Sequence, residues 1–139
     1  MHIAQLEEAL ELSRASIRFY EKEGLLSPER LANGYRDYSE EDLETLRRVK
    51  LLRALGLPLE DIKALQAGTL DLPAALRTQE ERLRREQRQR EAALSLCQTL
   101  EGEGVAYRDL AAGPYLVELS RVEREGVRLQ PPAADSLPC

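Results

Sequence analysis

Apolar residues recur along this chain at three- and four-residue spacing, broken at intervals by Gly and Pro, so it reads as a series of amphipathic helices. Ile3, Leu6, Ala9 and Leu10 share one face of a short helix over 3 to 10. Ser13 is placed to cap a second helix running to about Lys22 or Glu23, with Gly24 as its left-handed end. Ser39 and Asp42 form a capping-box pair. The helix behind them carries Leu43, Leu46, Val49, Leu52 and Leu55 as a stripe, and Gly56 stops it. Pro58 opens a further short helix, LEDIKAL, closed by Gly68. From Asp71 and Pro73 no breaker occurs until Gly102, a run of roughly 28 residues or about 42 Å, too long to bury in so small a domain.

Between the second and third helices the periodicity changes. Ser27-Pro28 marks a turn, and Asn33-Gly34 is a hairpin signal because a tight turn needs positive φ. Leu31 and the run Tyr35-Arg36-Asp37-Tyr38 alternate around it as two short strands would. A helix followed by a small hairpin is the layout of a winged helix-turn-helix. Within the preceding helix Arg14, Arg18 and Lys22 fall in an arc of about 80°. Ile17 and Tyr20 lie opposite, able to anchor the helix to a core. A cationic face of this kind can neutralise phosphates, and a guanidinium can also fork onto a guanine edge.

The long segment carries a heptad reading with Leu76, Leu83, Arg90 and Cys97 at one position and Gln79, Glu86, Ala93 and Leu100 at the other. That seam is apolar at both ends and polar in the middle, which suits a parallel zipper poorly. An antiparallel pair would set the Leu76/Leu83 end of one copy beside Leu94, Cys97 and Leu100 of the other. After Gly104 the signal weakens to a turn or two over Val105 to Ala112. A short amphipathic helix then starts at Pro114 and carries Tyr115, Leu116, Leu119 and Val122 up to Gly126. Its apolar face is expected to pack on the coiled coil or on a partner's head.

Three segments, IRFYEKEGLL, NGYRDYSEEDLETLR and LGLPLEDIKAL, together resemble the DNA-binding domain of MerR-type transcriptional regulators, with order and spacing preserved over roughly residues 3 to 68. The resemblance implies a mainly α chain: a winged helix-turn-helix followed by a long antiparallel dimerisation helix. It also implies a homodimer that binds pseudo-palindromic promoter DNA, distorts it, and reaches RNA polymerase indirectly through that distortion. On matching positions it implies DNA-binding roles for Ser13, Arg14, Ser16, Arg18, Phe19, Tyr20, Lys22, Arg36 and Tyr38. Arg36 and Tyr38 would lie on backbone phosphates, a positioning role, and Tyr35 would pack beneath the wing.

The chain departs from the family pattern at several places. Phe19 stands where many relatives carry Tyr, leaving a ring to pack on sugar rather than a phenol to bond phosphate. Ala15 replaces a residue that is often basic or polar. Glu11 occupies a turn where Gly is common, at a cost of about 1 kcal/mol if left-handed. Pro58 takes the place of a Ser cap.

Composition then adjusts this picture. With 139 residues the chain suits one small domain plus an extension. The expected division is a head over 1 to 70, a dimerisation helix over 71 to 101, a helical extension over 102 to 128 and a Pro-rich tail or linker over 129 to 139. Aromatics are 4% and charged residues 32%, implying a modest core and much helical surface. The net charge of −5 opposes unspecific nucleic-acid binding. Its distribution weakens that objection, since residues 12 to 22 hold three cations and one anion while acids cluster over 37 to 44, 60 to 61 and 101 to 125.

Cys97 and Cys139 fit a reducing cytoplasm rather than a disulfide framework. No stretch is apolar enough to span a membrane. Metal-sensing relatives place cysteines at the start of the long helix or in a loop just after it. Here the helix start offers Leu72 and Pro73, and residues 101 to 115 contain no Cys or His, so neither a metal site nor a cofactor is expected. His2 is the sole histidine and no catalytic set forms around it, so the chain is not read as an enzyme.

The tail leads to one further expectation: either the chain lacks a small-molecule effector or it is the N-terminal part of a longer protein. The competing reading is a protein-interaction module, in which the long helix docks a partner and the head is purely architectural.

Overall fold

A computed structural model describes residues 1–126. The chain divides into two compact units, one spanning Met1–Ala75 and the other beginning at Leu76.

The first unit opens with α1 (Ile3–Leu10) and α2 (Arg14–Lys22). The strands β1 (Glu29–Arg30) and β2 (Arg36–Asp37) follow, then α3 (Glu40–Ala54), α4 (Leu59–Ala67) and the start of α5 (Leu72–Glu103). Leu6, Leu10, Ile17, Leu43, Leu46, Val49 and Ile62 of the helices make up its core, joined by Leu25, Leu26 and Leu57 from the segments between helices. These are the i, i+3 and i+4 positions of each helix, as expected for short helices that bury one stripe. The α3 stripe ends sooner than its spacing suggested. Leu52 is half-buried and Leu55 exposed, because the helix stops at Ala54 and Leu57 supplies the next buried side chain.

Local chemistry sets the ends of these helices. The Ser13 hydroxyl accepts from the Ser16 amide at 3.1 Å and caps α2. At its other end Leu25 N–H reaches the Tyr20 carbonyl at 3.0 Å, across Gly24 at φ 86°. Ser39 and Asp42 exchange the two hydrogen bonds of a capping box at 3.0 and 2.9 Å. Pro58 is the N-cap of α4 rather than its first helical residue. Lys63 pairs with Glu23 at 2.8 Å and Gln66 donates to the Leu25 carbonyl at 3.1 Å, tying α4 to the end of α2.

The hairpin is shorter than the sequence pattern suggests. Two residues on each side pair antiparallel, Glu29 with Asp37 and Arg30 with Arg36, and Leu31 falls outside the strand. The turn is not the two-residue kind expected for Asn-Gly. Gly34 alone takes positive φ, 87°, while its N–H bonds the Leu31 carbonyl at 2.9 Å and Leu31 N–H bonds the Tyr35 carbonyl at 2.7 Å. This is a three-residue loop in which Gly accepts the left-handed position. The Met1 ammonium lies beside β2, donating to Asp37 Oδ1 at 2.9 Å and to the Tyr38 carbonyl at 2.7 Å.

In the second unit α5 continues to Glu103, two residues beyond the expected end. A 3-10 turn (Tyr107–Asp109) and α6 (Ala112–Gly126) follow. Pro114 sits inside the first turn of α6, where its missing N–H has no cost. The Tyr115 hydroxyl donates to Glu103 at 3.1 Å. The apolar face expected to pack is largely open here: Leu116 is 60% exposed, and Leu119 and Val122 are only partly covered. The expected tail over 129 to 139 lies outside the described residues, as do the last two positions of the expected extension.

At the corner between α1 and α2, Glu11 adopts φ 53°, ψ 40°, and it is the one non-glycine residue with positive φ among those described. The Lys50 ammonium from α3 donates to the carbonyl of Leu10 just before it, holding the end of α1 in place. Glu11→Gly should therefore raise stability by about 0.5 to 1 kcal/mol, since relief of left-handed strain outweighs the added freedom of the unfolded chain. Urea melts read this directly. An unchanged or lower midpoint would mean that the Glu11 side chain compensates for its own backbone.

Candidate nucleic-acid interface

Helix α2 presents the cationic arc as its spacing implied: Arg14, Arg18 and Lys22 are exposed while Ile17 is fully buried behind them. The three are not equivalent. Arg14 Nη2 pairs with Glu7 of α1 at 2.9 Å and lies outside the cleft described next. Arg18 and Lys22 open onto a cleft of ≈ 550 Å³ between α2 and the hairpin. Glu21, Leu26, Ser27, Pro28, Arg30 and Arg36 complete its walls, so four cations face a single carboxylate.

Arg36 stands at the centre of this arrangement. Its Nε donates to both carboxylate oxygens of Glu21, each at 2.8 Å. The pair is partly buried, with the side chains 28% and 16% exposed, and it ties β2 to α2. Arg30 lies opposite Arg36 in the ladder and donates from Nη1 to the Gly34 carbonyl at 3.1 Å, bracing the turn. Neither Glu21 nor Arg30 stood out in the sequence. A two-residue turn at Asn33-Gly34 would have set Arg30 opposite Asp37; the three-residue loop sets it opposite Arg36. No sequence signal marked the pairing of Glu21, which joins residues fifteen apart.

The two hairpin tyrosines exchange their expected places. Tyr35, expected beneath the wing, is 68% exposed. Tyr38, expected on a phosphate, is 2% exposed and belongs to the core, and its hydroxyl has no hydrogen-bond partner. Burial pushes the Tyr38 phenol above its usual range, with the Glu21 carboxylate adding to the shift and Arg36 and Arg18 opposing it. A side chain so enclosed supports the wing from behind rather than forming its outer surface.

The remaining expected residues divide by surroundings. Phe19 is 49% exposed and meets Tyr20 edge-on at 5.7 Å, while Tyr20 itself is half-buried. The Ser13 hydroxyl, besides capping the helix, donates to Ser16 Oγ at 2.9 Å, which links the two serines to each other.

In the second unit the proposed seam is open in the single chain. Leu83 is 44% and Leu94 60% exposed, Ala93 and Cys97 are exposed, and Leu76 and Leu100 are partly covered. Gln79, one of the heptad positions, is buried, and so is Arg85, which the heptad reading left off the seam. No helix among the described residues is long and apolar enough to cross a membrane.

Known proteins match this chain in sequence, chiefly over the first unit. Residues 1–69 match the family model described as MerR HTH family regulatory protein. The chain is 43% identical over 88 residues to the HTH-type transcriptional regulator SkgA of Caulobacter vibrioides, covering 60% of this chain and 34% of that one. It is 42% identical over 67 residues to the HTH-type transcriptional regulator HmrR of Rhizobium leguminosarum, covering 48% and 52%. Against the HTH-type transcriptional activator mta of Bacillus subtilis it is 37% identical over 119 residues, covering 78% and 46%. The chain thus spans about a third to a half of the length of these relatives.

The enclosed hydroxyl of Tyr38 makes a testable pair of statements. Tyr38→Phe removes a buried donor without a partner, so at pH 7 the head should be as stable as the parent or more so, by up to about 1 kcal/mol. A phenol with a raised folded-state pKa contributes its full stability below its ordinary value of 10.0 and loses it as pH rises through the folded-state value. The parent should therefore weaken above pH 10 and the Phe variant less so. Urea melts at both pH values decide this, and a lower midpoint for Tyr38→Phe at pH 7 would show that the hydroxyl is satisfied in the fold.

Proposed function

This chain belongs to the MerR helix-turn-helix family of regulatory proteins through residues 1–69, and on that premise we propose that it is a transcriptional regulator whose head grips promoter DNA with α2 and the hairpin. The observation that carries this reading is the cleft. In a chain of net charge −5, Arg18, Lys22, Arg30 and Arg36 converge on one concave surface between the reading helix and the wing. Cations concentrated in this way release counterions from a duplex, while the acidic remainder limits unspecific adhesion.

Within this reading the residues take distinct roles. Arg18 and Lys22 stand on the exposed arc of α2, the position from which a helix in the major groove reaches base edges and phosphates. Arg14 reaches the backbone only by exchanging its Glu7 partner for a phosphate. Phe19 offers a ring to the sugar. Ser13 and Ser16 present hydroxyl groups at the N-terminus of α2, where the helix dipole favours an anion. Tyr20 and Tyr38 support the helix and wing from within rather than lying against the duplex.

Two copies are proposed to pair through α5, antiparallel, with Leu76, Leu83, Ala93, Leu94, Cys97 and Leu100 on the seam. The exposure of Leu83 and Leu94 supports this, since apolar side chains on a long helix are covered at little cost by a second helix. Two linked heads would then engage a pseudo-palindromic site and distort the DNA between its halves, and RNA polymerase would respond to the altered spacing. The cytoplasm is the fitting compartment for such a regulator. No cofactor is included in this reading.

Anisotropy titrations of a labelled promoter duplex at graded KCl test the proposal. Log affinity should fall linearly with log salt, at a slope near −0.9 for each phosphate neutralised. Arg18→Ala should weaken binding by about 1 to 3 kcal/mol while leaving thermal melting unchanged. Affinity indifferent to both salt and Arg18 would point instead to an interaction module.

Leu83→Asp places an unpaired carboxylate on the proposed seam and should dissociate the dimer, with operator affinity falling in step. Sedimentation equilibrium measures the first effect. A dimer that survives this substitution would require a different α5 register.

A further inference from the structure

Glu21 is the anomaly of the cationic cleft. By charge alone a carboxylate among Arg18, Lys22, Arg30 and Arg36 opposes any phosphate that enters. Its geometry suggests what it does there. Both of its oxygens are taken by one atom, Nε of Arg36, at 2.8 Å each, and the carboxylate is the more enclosed member of the pair. With Nε committed, the two Nη amino groups are the donors that Arg36 has left for the cleft it lines.

A guanidinium on a free side chain would sample many rotamers. One clamped at Nε presents its terminal edge in a fixed direction, so less freedom is lost when a phosphate arrives. Arg36 also lies on a two-residue strand, which gives little stiffness of its own, and Glu21 fastens that strand to α2.

We propose that Glu21 is a positioning residue for duplex binding: it orients Arg36 so that the terminal amino groups of its guanidinium meet a backbone phosphate held between α2 and the wing. The assignment rests on the duplex-binding reading above and goes beyond it. The one acid in the cleft strengthens binding through Arg36, and its own charge is a smaller, opposing effect. Neutralising it therefore has a sign that depends on whether Arg36 is present.

A double-mutant cycle isolates this dependence. The wild-type chain first selects its strongest-bound duplex from a random-sequence pool, and that duplex is then titrated by anisotropy at fixed salt with the wild type, Glu21→Gln, Arg36→Ala and the double variant. Glu21→Gln should weaken binding about fivefold or more in the parent, although it makes the protein one charge less acidic. In the Arg36→Ala background the same change should strengthen binding, by about twofold, because only the repulsion is left to remove.

Weakening in both backgrounds would mean that Glu21 merely supports the fold, and strengthening in both would mean that its charge is all that matters. Either result overturns the assignment. Circular dichroism melts of the four proteins separate loss of the head from loss of orientation. A wild-type chain that enriches no duplex, or binds without salt dependence, would sink the duplex-binding reading itself. A binding wild type with the wrong cycle sinks only the role of Glu21.

Discussion

Ile17 is wholly buried while Arg18, its neighbour in sequence, lies on the exposed arc of the same helix, and the rest of the head follows from holding both conditions at once. A helix of nine residues is too short to be stable by itself. It exists because Ile17 is buried in the head's core, with α1 packed alongside, and because Ser13 and Gly24 satisfy its ends. Burying any more of α2 would bury its cations, and burying less would melt it. α1 contacts both α2 and α3, and α4, fastened through Lys63 and Gln66, holds the far end of α2.

The wing depends on the same helix. Two pairs of strand residues cannot stand alone in water, so the hairpin is held from three directions. Tyr38 plugs it into the core, Arg36 pins it to Glu21, and Arg30 ties its own turn through Gly34. Two of these three ties use cationic side chains that also line the cleft. The residues that shape the concave surface are thus among those that charge it, which couples wing geometry to electrostatics. Distribution rather than net charge decides what such a surface attracts. An acidic chain can present a local field of the opposite sign wherever folding gathers its cations and leaves its acids on other faces.

Much of this was legible in the order of residue types. Helix positions followed from three- and four-residue spacing, helix ends from Ser13, Ser39, Gly24 and Gly68, and the cationic arc from Arg14, Arg18 and Lys22, because these signals are local and the backbone obeys them wherever the segment lies. The resemblance carried by IRFYEKEGLL and NGYRDY added the winged layout, and the family match over residues 1–69 agrees with it.

The tertiary structure alone decided which way the hairpin faces. Alternation correctly sets Arg36 and Tyr38 on one side and Tyr35 and Asp37 on the other. A strand of two residues carries too little pattern to say which side meets the core, and docking against α2 turned Tyr38 inward and left Tyr35 in solvent. The pairing of Glu21 with Arg36 and the entry of Arg30 into the cleft were likewise invisible in the chain, since they join positions whose spacing obeys no helical or strand period. Local periodicity determines what each element is; only packing determines which of its charged side chains come to share a surface.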